Sequence, residues 1–324
     1  MSLKVDYSSV RQALERIDRV VHHTPVMTSK TLNNITGYEI FLKCENFQRG
    51  GAFKFRGAYN TICQLTKEEK EKGVIAFSSG NHAQAVALAS KLLGVHAVNC
   101  MPSDSPSIKK EAAKGYGGES IFYDRFRENR EEIASRFSEE KGMSLIPPYD
   151  DPRVIAGAGT AALELLQEVE SLDTIVVPIG GGGLISGTSI AAHGFNSKTR
   201  IFGVEPESAN DTLISLRKRN RISIDPSNTI ADGLRATTPG TLTFPIIQEH
   251  VEDIVTVTDD EIMRAIYFAV TRLKIIMEPS AAVTLAALLA NRFPIQKKRI
   301  GVIVSGGNID PLLLAEVCQL NSEF

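Results

Sequence analysis

The sequence predicts an α/β fold built on two open parallel sheets, and three observations carry that prediction. Apolar runs short enough for strands alternate with amphipathic runs long enough for helices along nearly the whole chain. This is the order that yields parallel sheets with helices on their faces. Strand candidates such as Asp173 to Ile179 (DTIVVPI) are apolar almost throughout, the mark of a strand buried on both faces. Glycine clusters follow strands directly at Gly180 to Gly183 and at Gly306-Gly307, at the carboxyl ends where open sheets bind ligands.

The elements follow in order. Val10, Ala13, Leu14, Ile17, Val20 and Val21 repeat at helical spacing, so a helix is expected over residues 8–21,. TLNNITG reads as a short helix stopped by Gly37, and EIFLKCE from Glu39 as a strand leading into FQRGGAFKFRGA, Phe47 to Ala58,. After a charged, solvated helix around Glu68 to Glu71, a strand over Val74 to Phe77 runs through Ser78-Ser79-Gly80 into a helix from His82 to Leu93. AVNCMP and ESIFYD are strands, SPSIKKEAAKGYG a helix between them, and residues 125–141 a charged amphipathic helix. LIPPYDDPRVIAGAG suits a crossover between domains, with at best a weak strand over Arg153 to Ile155,. A helix over TAALELLQEV, the buried strand, a helix opened by four glycines, and the strands RIFGVEP and EDIVTV follow; an acidic-capped helix and the last strand, RIGVIV, complete the order.

A chain of 324 residues, 43% hydrophobic, is long enough for two ordinary domains or one large one and can bury a sizeable core,. A net charge of -2 and a pI near 6.3 give no field for nucleic acid or an anionic membrane,. The longest apolar stretch near the end, Ser280 to Ala290, is too short to span a bilayer,. Cys44, Cys63, Cys100 and Cys318 are far apart, no C-x-x-C occurs, and the charged N-terminal residues do not form a secretory signal. Reduced thiols in a cytoplasm are therefore expected.

Four motifs carry chemistry. Lys54 lies between Phe53 and Phe55 behind two glycines. That is an amine held against apolar walls, where desolvation lowers its pKa and makes it a nucleophile for a carbonyl. Gly180 to Gly183 leave backbone N–H groups bare at a helix start, a cradle for an anion such as phosphate, without the Lys-Ser/Thr of a nucleotide-hydrolysing loop,. Ser78, Ser79, Gly80, Asn81 and His82 stand at a strand end, where hydroxyls and an amide can orient a polar ring and a carboxylate or simply cap a helix,. Ser305 to Asn308 have the same placement and the same alternative. Gly157-Ala158-Gly159 is discounted as a dinucleotide fingerprint because no convincing strand precedes it. The six histidines show no metal spacing,.

Together with TPV at Thr24, IPPYD at Ile146, IADG at Ile230 and EPS at Glu278, these motifs resemble the fold-type II pyridoxal phosphate enzymes, and within them the serine/threonine dehydratase and serine racemase branch. The resemblance runs nearly end to end. It implies a tryptophan synthase β-like fold of two open parallel sheets, with a small mobile domain of residues 53–148 inserted into a large domain of residues 1–52 and 149–324, and with the cofactor, pyridoxal 5'-phosphate, in the cleft between the two. Lys54 would bind the cofactor covalently and then act as base on one face of the substrate Cα, with Ser79 as acid/base on the other. Phe53 would pack by the ring, Asn81 would bond its 3-hydroxyl, Gly180, Gly181, Gly182 and Gly183 would hold its phosphate, and Ser305 would face the pyridine nitrogen. Ser78, Ser79, Gly80 and Asn81, with Arg130, would receive the substrate carboxylate.

GVEPESAND places Glu205 and Asp211 either side of the Ala209 carbonyl. This all-oxygen set suits a divalent cation (Mg²⁺, Ca²⁺ or Mn²⁺) and matches the metal site of serine racemases; the competing reading is an acidic surface loop. Thr28, Ser29, Gln84, Tyr116 and Lys274 align with residues lining a nucleotide-effector site at a homodimer interface. Tyr149 and Ala236 depart from the polar groups of the animal racemase. The resemblance leaves no room for a C-terminal regulatory domain. The expected activity is dehydration of L-serine and L-threonine to a 2-oxo acid and ammonia, with racemase side activity. The alternatives are a threo-3-hydroxyaspartate ammonia-lyase and a cofactor-binding protein without turnover.

Overall fold

The computed structural model describes residues 5–78, 80–103, 114–124, 127–294 and 299–320. It is a mixed α/β molecule with two predominantly parallel sheets. The larger sheet has the order β1-β2-β10-β7-β8-β9, from strands Val26–Met27, Glu39–Cys44, Arg299–Val304, Thr174–Pro178, Arg200–Pro206 and Asp253–Val257 respectively. All its pairs are parallel except β1 with β2 at the edge. The smaller sheet, β5-β4-β3-β6, is wholly parallel and comes from Glu119–Tyr123, Ala97–Pro102, Val74–Phe77 and Ser144–Leu145.

Strands β7 and β10 are central and buried nearly throughout, as their continuous apolar sequences require,. The last strand in the chain, β10, lies between β2 and β7. It therefore brings the carboxyl ends of an N-terminal and two C-terminal segments to one edge of the sheet. Packed apolar clusters cover both faces: one includes Leu42, Val302 and the helix Pro279–Leu289, the other Ile175, Ile303 and the helices Pro152–Glu168 and Gly183–Phe195.

Four expectations need correction. The first helix is Tyr7–Ile17 rather than residues 8–21, because the chain turns at Ile17, whose carbonyl accepts from the N–H groups of Val20 and Val21. The charged helix begins at Arg130, where Asn129 caps it; the expected start at residue 125 lies outside the described residues, as does most of the SPSIKKEAAKGYG helix. The proline- and aspartate-rich crossover is shorter than expected. Asp151 caps a helix with Pro152 at its first position, and that helix absorbs Arg153 to Ile155, where at best a weak strand was expected, together with Ala156 to Gly159 of the crossover,. The fourth concerns the glycines in that helix, which serve packing. A Cβ on Gly157 would meet the backbone of Arg56 and Gly57 at 2.7 Å, and one on Gly159 would sit 2.6 Å from the Gly187 carbonyl oxygen. The helix Lys54–Ile62 and the helix Gly183–Phe195 are thereby both held at backbone contact against one intervening helix.

A buried ionic cluster completes this joint. Arg56 is fully buried; its Nε donates to Glu45 at 2.7 Å and its NH1 to Glu164 at 2.6 Å. Lys43 adds a 2.8 Å contact to Glu164 and donates to the Thr24 carbonyl at 2.6 Å. Two cations face two carboxylates, so the cluster is neutral as a whole, the condition under which buried charge is tolerated. Thr24 of the TPV segment and Arg56 of FKFRGA thus meet in one network.

Candidate active site

Lys54 is the first residue of its helix, and the turn before it is tied to the end of β10. The Phe53 N–H donates to the Ser305 carbonyl at 2.9 Å, and Ala52 pairs with Gly306. The chain therefore delivers the amine to the carboxyl edge of the large sheet. There it opens on a cavity of about 170 Å³, lined among others by Phe53, Ser78, Gly80, Asn81, Gly180 to Gly183 and Ser305. The expected cofactor residues converge on this one space.

The Lys54 Nζ donates to the Pro148 carbonyl at 2.6 Å and lies 5.1 Å from the centre of the Phe53 ring. Burial brings its pKa down to about 8, and the nearby Glu278 carboxylate opposes part of that fall,. An amine in this state has a substantial uncharged fraction near neutral pH, which a surface lysine does not.

Across the cavity the helix Gly183–Phe195 starts without any side-chain cap. Its first N–H groups and its dipole face the space that an anion would fill. Gly182, at φ 93°, holds the left-handed turn that only glycine adopts readily,. Gly181 has no room for a Cβ because the Tyr149 ring lies against it, and a Cβ on Gly180 would come within 2.9 Å of the Gly233 carbonyl oxygen. The loop is braced from below by Thr243, whose hydroxyl donates to the Gly181 carbonyl at 2.8 Å. Tyr149 is thus a packing partner of the glycine loop, and with Ala236 it lines the same cavity.

Asn81 is oriented from two sides: its Nδ2 donates to Glu278 at 2.7 Å and its Oδ1 accepts from Asn308 at 2.9 Å. The Ser78 hydroxyl accepts from the Gly80 N–H at 3.1 Å, shaping the turn into the helix Asn81–Leu93. Ser79 and the Arg130 side chain lie outside the described residues. Sequence reasoning gave no role to Glu278, His82, Pro148 or Asn308, all of which line the cavity. Glu278 entered only as the first residue of the EPS motif that carries part of the family resemblance, and His82 only as a residue of the strand-end turn.

Glu205 and Asp211 do come together, at the start of the helix Asp211–Lys218. Glu205 accepts from the N–H groups of Thr212 at 3.1 Å and Leu213 at 2.8 Å, so it caps that helix. Both oxygens of Asp211 are buried without a hydrogen-bond partner. Burial, with the Asp211 charge added, pushes the Glu205 carboxyl up to about 8, and burial pushes Asp211 up to about 7. The pair is therefore buried at a helix start and is no acidic surface loop. Among the described residues no three His, Cys, Asp or Glu side chains converge as a metal cluster.

None of the five residues aligned with a nucleotide site lines the cavity. Ser29 caps the helix Lys30–Thr36, Gln84 is buried in the Asn81–Leu93 helix, and Thr28 is exposed. Tyr116 sits half-buried in a turn, and Lys274 is exposed in a left-handed conformation after a π-helical turn, Ala269–Leu273.

The family model described as pyridoxal-phosphate dependent enzyme matches residues 17–306. A serine racemase of Schizosaccharomyces pombe is 49% identical over 304 residues, covering 94% of this chain and 94% of that protein. An L-threo-3-hydroxyaspartate ammonia-lyase of Saccharomyces cerevisiae is also 49% identical, over 94% of this chain and 93% of its own length. Among solved structures, maize serine racemase superposes with a TM-score of 0.93 at 45% identity, covering 96% of each chain.

Proposed function

This chain belongs to the pyridoxal-phosphate-dependent enzymes, and from that premise we propose that it converts L-serine and L-threonine to a 2-oxo acid and ammonia, with amino-acid racemisation as a side activity. The observation that carries the reading is the desolvated Lys54 amine sharing one cavity with the bare glycine amides of a helix start. When bound, pyridoxal phosphate supplies an electron sink that acidifies the Cα–H of an amino acid. Lys54 would hold its aldehyde carbon, Phe53 would pack by its ring, Asn81 would present its amide to the ring hydroxyl, Gly180 to Gly183 would take the phosphate, and Ser305 would face the ring nitrogen.

The chain's own groups then divide the work. Once the substrate amine has displaced it from the aldehyde carbon, the free Lys54 amine would remove the Cα proton, and Ser79 would serve as the second acid/base group, which would permit inversion alongside elimination. Ser78, Gly80 and Asn81 receive the carboxylate with Arg130. The β-hydroxyl leaves with a proton as water; the enamine released becomes an imine, and one water hydrolyses it. Serine thus gives pyruvate and ammonia with no net water consumed. Closure of residues 53–148 over the rest excludes water during these steps.

Arg235 favours a second reading, L-threo-3-hydroxyaspartate as substrate. It lines the cavity, with its guanidinium tied to the Thr229 carbonyl by Nε at 2.8 Å and NH2 at 2.6 Å, and offers a cation for a second carboxylate. Initial rates on L-serine, L-threonine and L-threo-3-hydroxyaspartate rank the substrates. Absence of 2-oxo acid from all three, with pyridoxal phosphate bound, leaves a binding protein and overturns the reading.

The same proposal includes a divalent cation held by Glu205, Asp211 and the Ala209 carbonyl. Two orphaned carboxylate oxygens beside a second buried carboxylate fit that group, because a cation would supply the missing partner and remove the repulsion,. It also includes a homodimer, a nucleotide effector near Lys274 and a cytoplasmic setting. Exposed Phe47 and Ile276, which flank the hydrogen bond from Asn46 to the Ile276 carbonyl, support the dimer. Four unpaired cysteines are compatible with a reducing compartment.

A further inference from the structure

His82 is a buried titratable group that nothing above uses. It is 2% exposed, it lines the cavity, and its Nε2 lies 2.9 Å from the Ile146 carbonyl oxygen. A carbonyl can only accept, so Nε2 carries the proton and Nδ1 does not. Nδ1 is buried and has no partner among the described residues. A buried acceptor left without a donor is destabilising, so the ring is kept here for what its other nitrogen does.

The segment that Nε2 grips is short of anchors of its own. Pro147 and Pro148 have no N–H, so the backbone bonds of Ile146 hold the strand-end side: its N–H donates to the Ile75 carbonyl at 2.8 Å, and its carbonyl accepts from His82,. Two residues on, the Pro148 carbonyl accepts from Lys54. We propose that His82 is a positioning residue for Lys54: its Nε2–H fixes the Ile146–Pro148 segment so that the Pro148 carbonyl holds the amine facing the cavity. This deepens the reading above and rests on Lys54 being the reacting amine.

The charged and titratable groups that line the cavity with that amine come from four elements. Tyr149 follows Pro148, Glu278 stands before the helix Pro279–Leu289, His82 is on the helix Asn81–Leu93, and Asp232 and Arg235 are on the turn that lines the cavity. His82 stays neutral there, because burial and the Lys54 charge lower its pKa to about 3. A carbonyl acceptor stabilises the ammonium over the free amine, so releasing Pro148 lowers the lysine pKa further.

The test is competitive acetic anhydride labelling of the aldehyde-free, full-length chain between pH 6 and 10, with the Lys54 peptide quantified by mass spectrometry. His82→Leu should move the Lys54 midpoint down by about half a unit, roughly a threefold gain in free amine at pH 7. His82→Gln, which keeps an N–H donor at the same reach, should leave it in place. An unchanged midpoint in His82→Leu, or an equal fall in both variants, overturns the proposal. If His82→Leu does not fold, nitrogen-15 histidine spectra of the unaltered chain decide: an Nδ1–H tautomer, or a titration near the ordinary histidine value, overturns it. No step uses the cofactor, so failure of the chain to bind pyridoxal phosphate leaves this result readable.

Discussion

Replacing Arg56 with Met removes the positive centre of the joint between the Lys54 helix and the large sheet while roughly keeping side-chain volume. The guanidinium makes two bonds to Glu45, at 2.7 and 2.8 Å, two to Glu164, at 2.6 and 2.8 Å, and one to Thr160 at 3.2 Å. Without it the cluster passes from neutral to a net single negative charge. Lys43 still pairs with Glu164 at 2.8 Å, but Glu45 keeps only the Thr24 hydroxyl. Breaking a buried pair from one side costs about 3–5 kcal/mol, a large part of a stability of roughly 5–15 kcal/mol.

The pH dependence follows from Glu164. Burial acts to raise its pKa, but Arg56 and Lys43 outweigh that and hold it below the ordinary value. A carboxyl depressed in the folded state contributes stability above its unfolded pKa and loses it as pH falls. In the variant the Arg56 contribution is gone and the Glu164 pKa rises, so protonation relieves the variant first. The stability gap between parent and Arg56→Met should narrow as pH falls from about 8 to 5. Urea unfolding at several pH values reads both quantities. A gap below about 1 kcal/mol, or one that widens toward low pH, would refute the argument that this cluster is held by charge compensation.

Three further outcomes are expected. The rate at which the aldehyde-free chain takes up pyridoxal phosphate should climb between pH 7 and 9 and level off above the Lys54 pKa of about 8, because only the uncharged amine adds to a carbonyl,; a flat profile across that range counts against a desolvated amine. Gly159→Ala, whose new Cβ would sit 2.6 Å from the Gly187 carbonyl oxygen, should lower stability by about 1–3 kcal/mol through overpacking, read as a fall in urea midpoint; an unchanged midpoint would show that the two helices can separate freely. Magnesium or calcium should raise the melting temperature, a chelator should reverse the rise, and Asp211→Asn should abolish it. A cation effect that survives Asp211→Asn would place the ion elsewhere.

The fold was legible wherever local pattern and burial agree. Continuous apolar runs marked β7 and β10, and Gly37 at φ 74° and Gly94 at φ 67° ended helices where glycine allows a left-handed cap,. Strand pairing was not legible: that β10 lies between β2 and β7 is a fact of long-range register, with no trace in periodicity. Gly157 and Gly159 were misread because a glycine needed for a turn and one needed for backbone contact look alike in one dimension; only the neighbouring Arg56, Gly57 and Gly187 distinguish them.

At the site, Lys54, the four glycines and the turns holding Asn81 and Ser305 were legible from residue type and placement, the individual roles of Phe53, Asn81 and Ser305 came only with the family resemblance, and the structure gathers them around one cavity. Glu278 and His82 were missed because their positions are set by distant partners. Glu278 meets Asn81, 197 positions away, and His82 meets Ile146, 64 positions away. A buried acid or imidazole carries no local sequence pattern; its partners do, once the chain has folded.

The most direct measurement is borohydride reduction of the protein saturated with pyridoxal phosphate, followed by peptide mapping. The account predicts one reduced adduct, on the Lys54 side chain, and its disappearance in Lys54→Ala. An adduct on another lysine, or none, would contradict it.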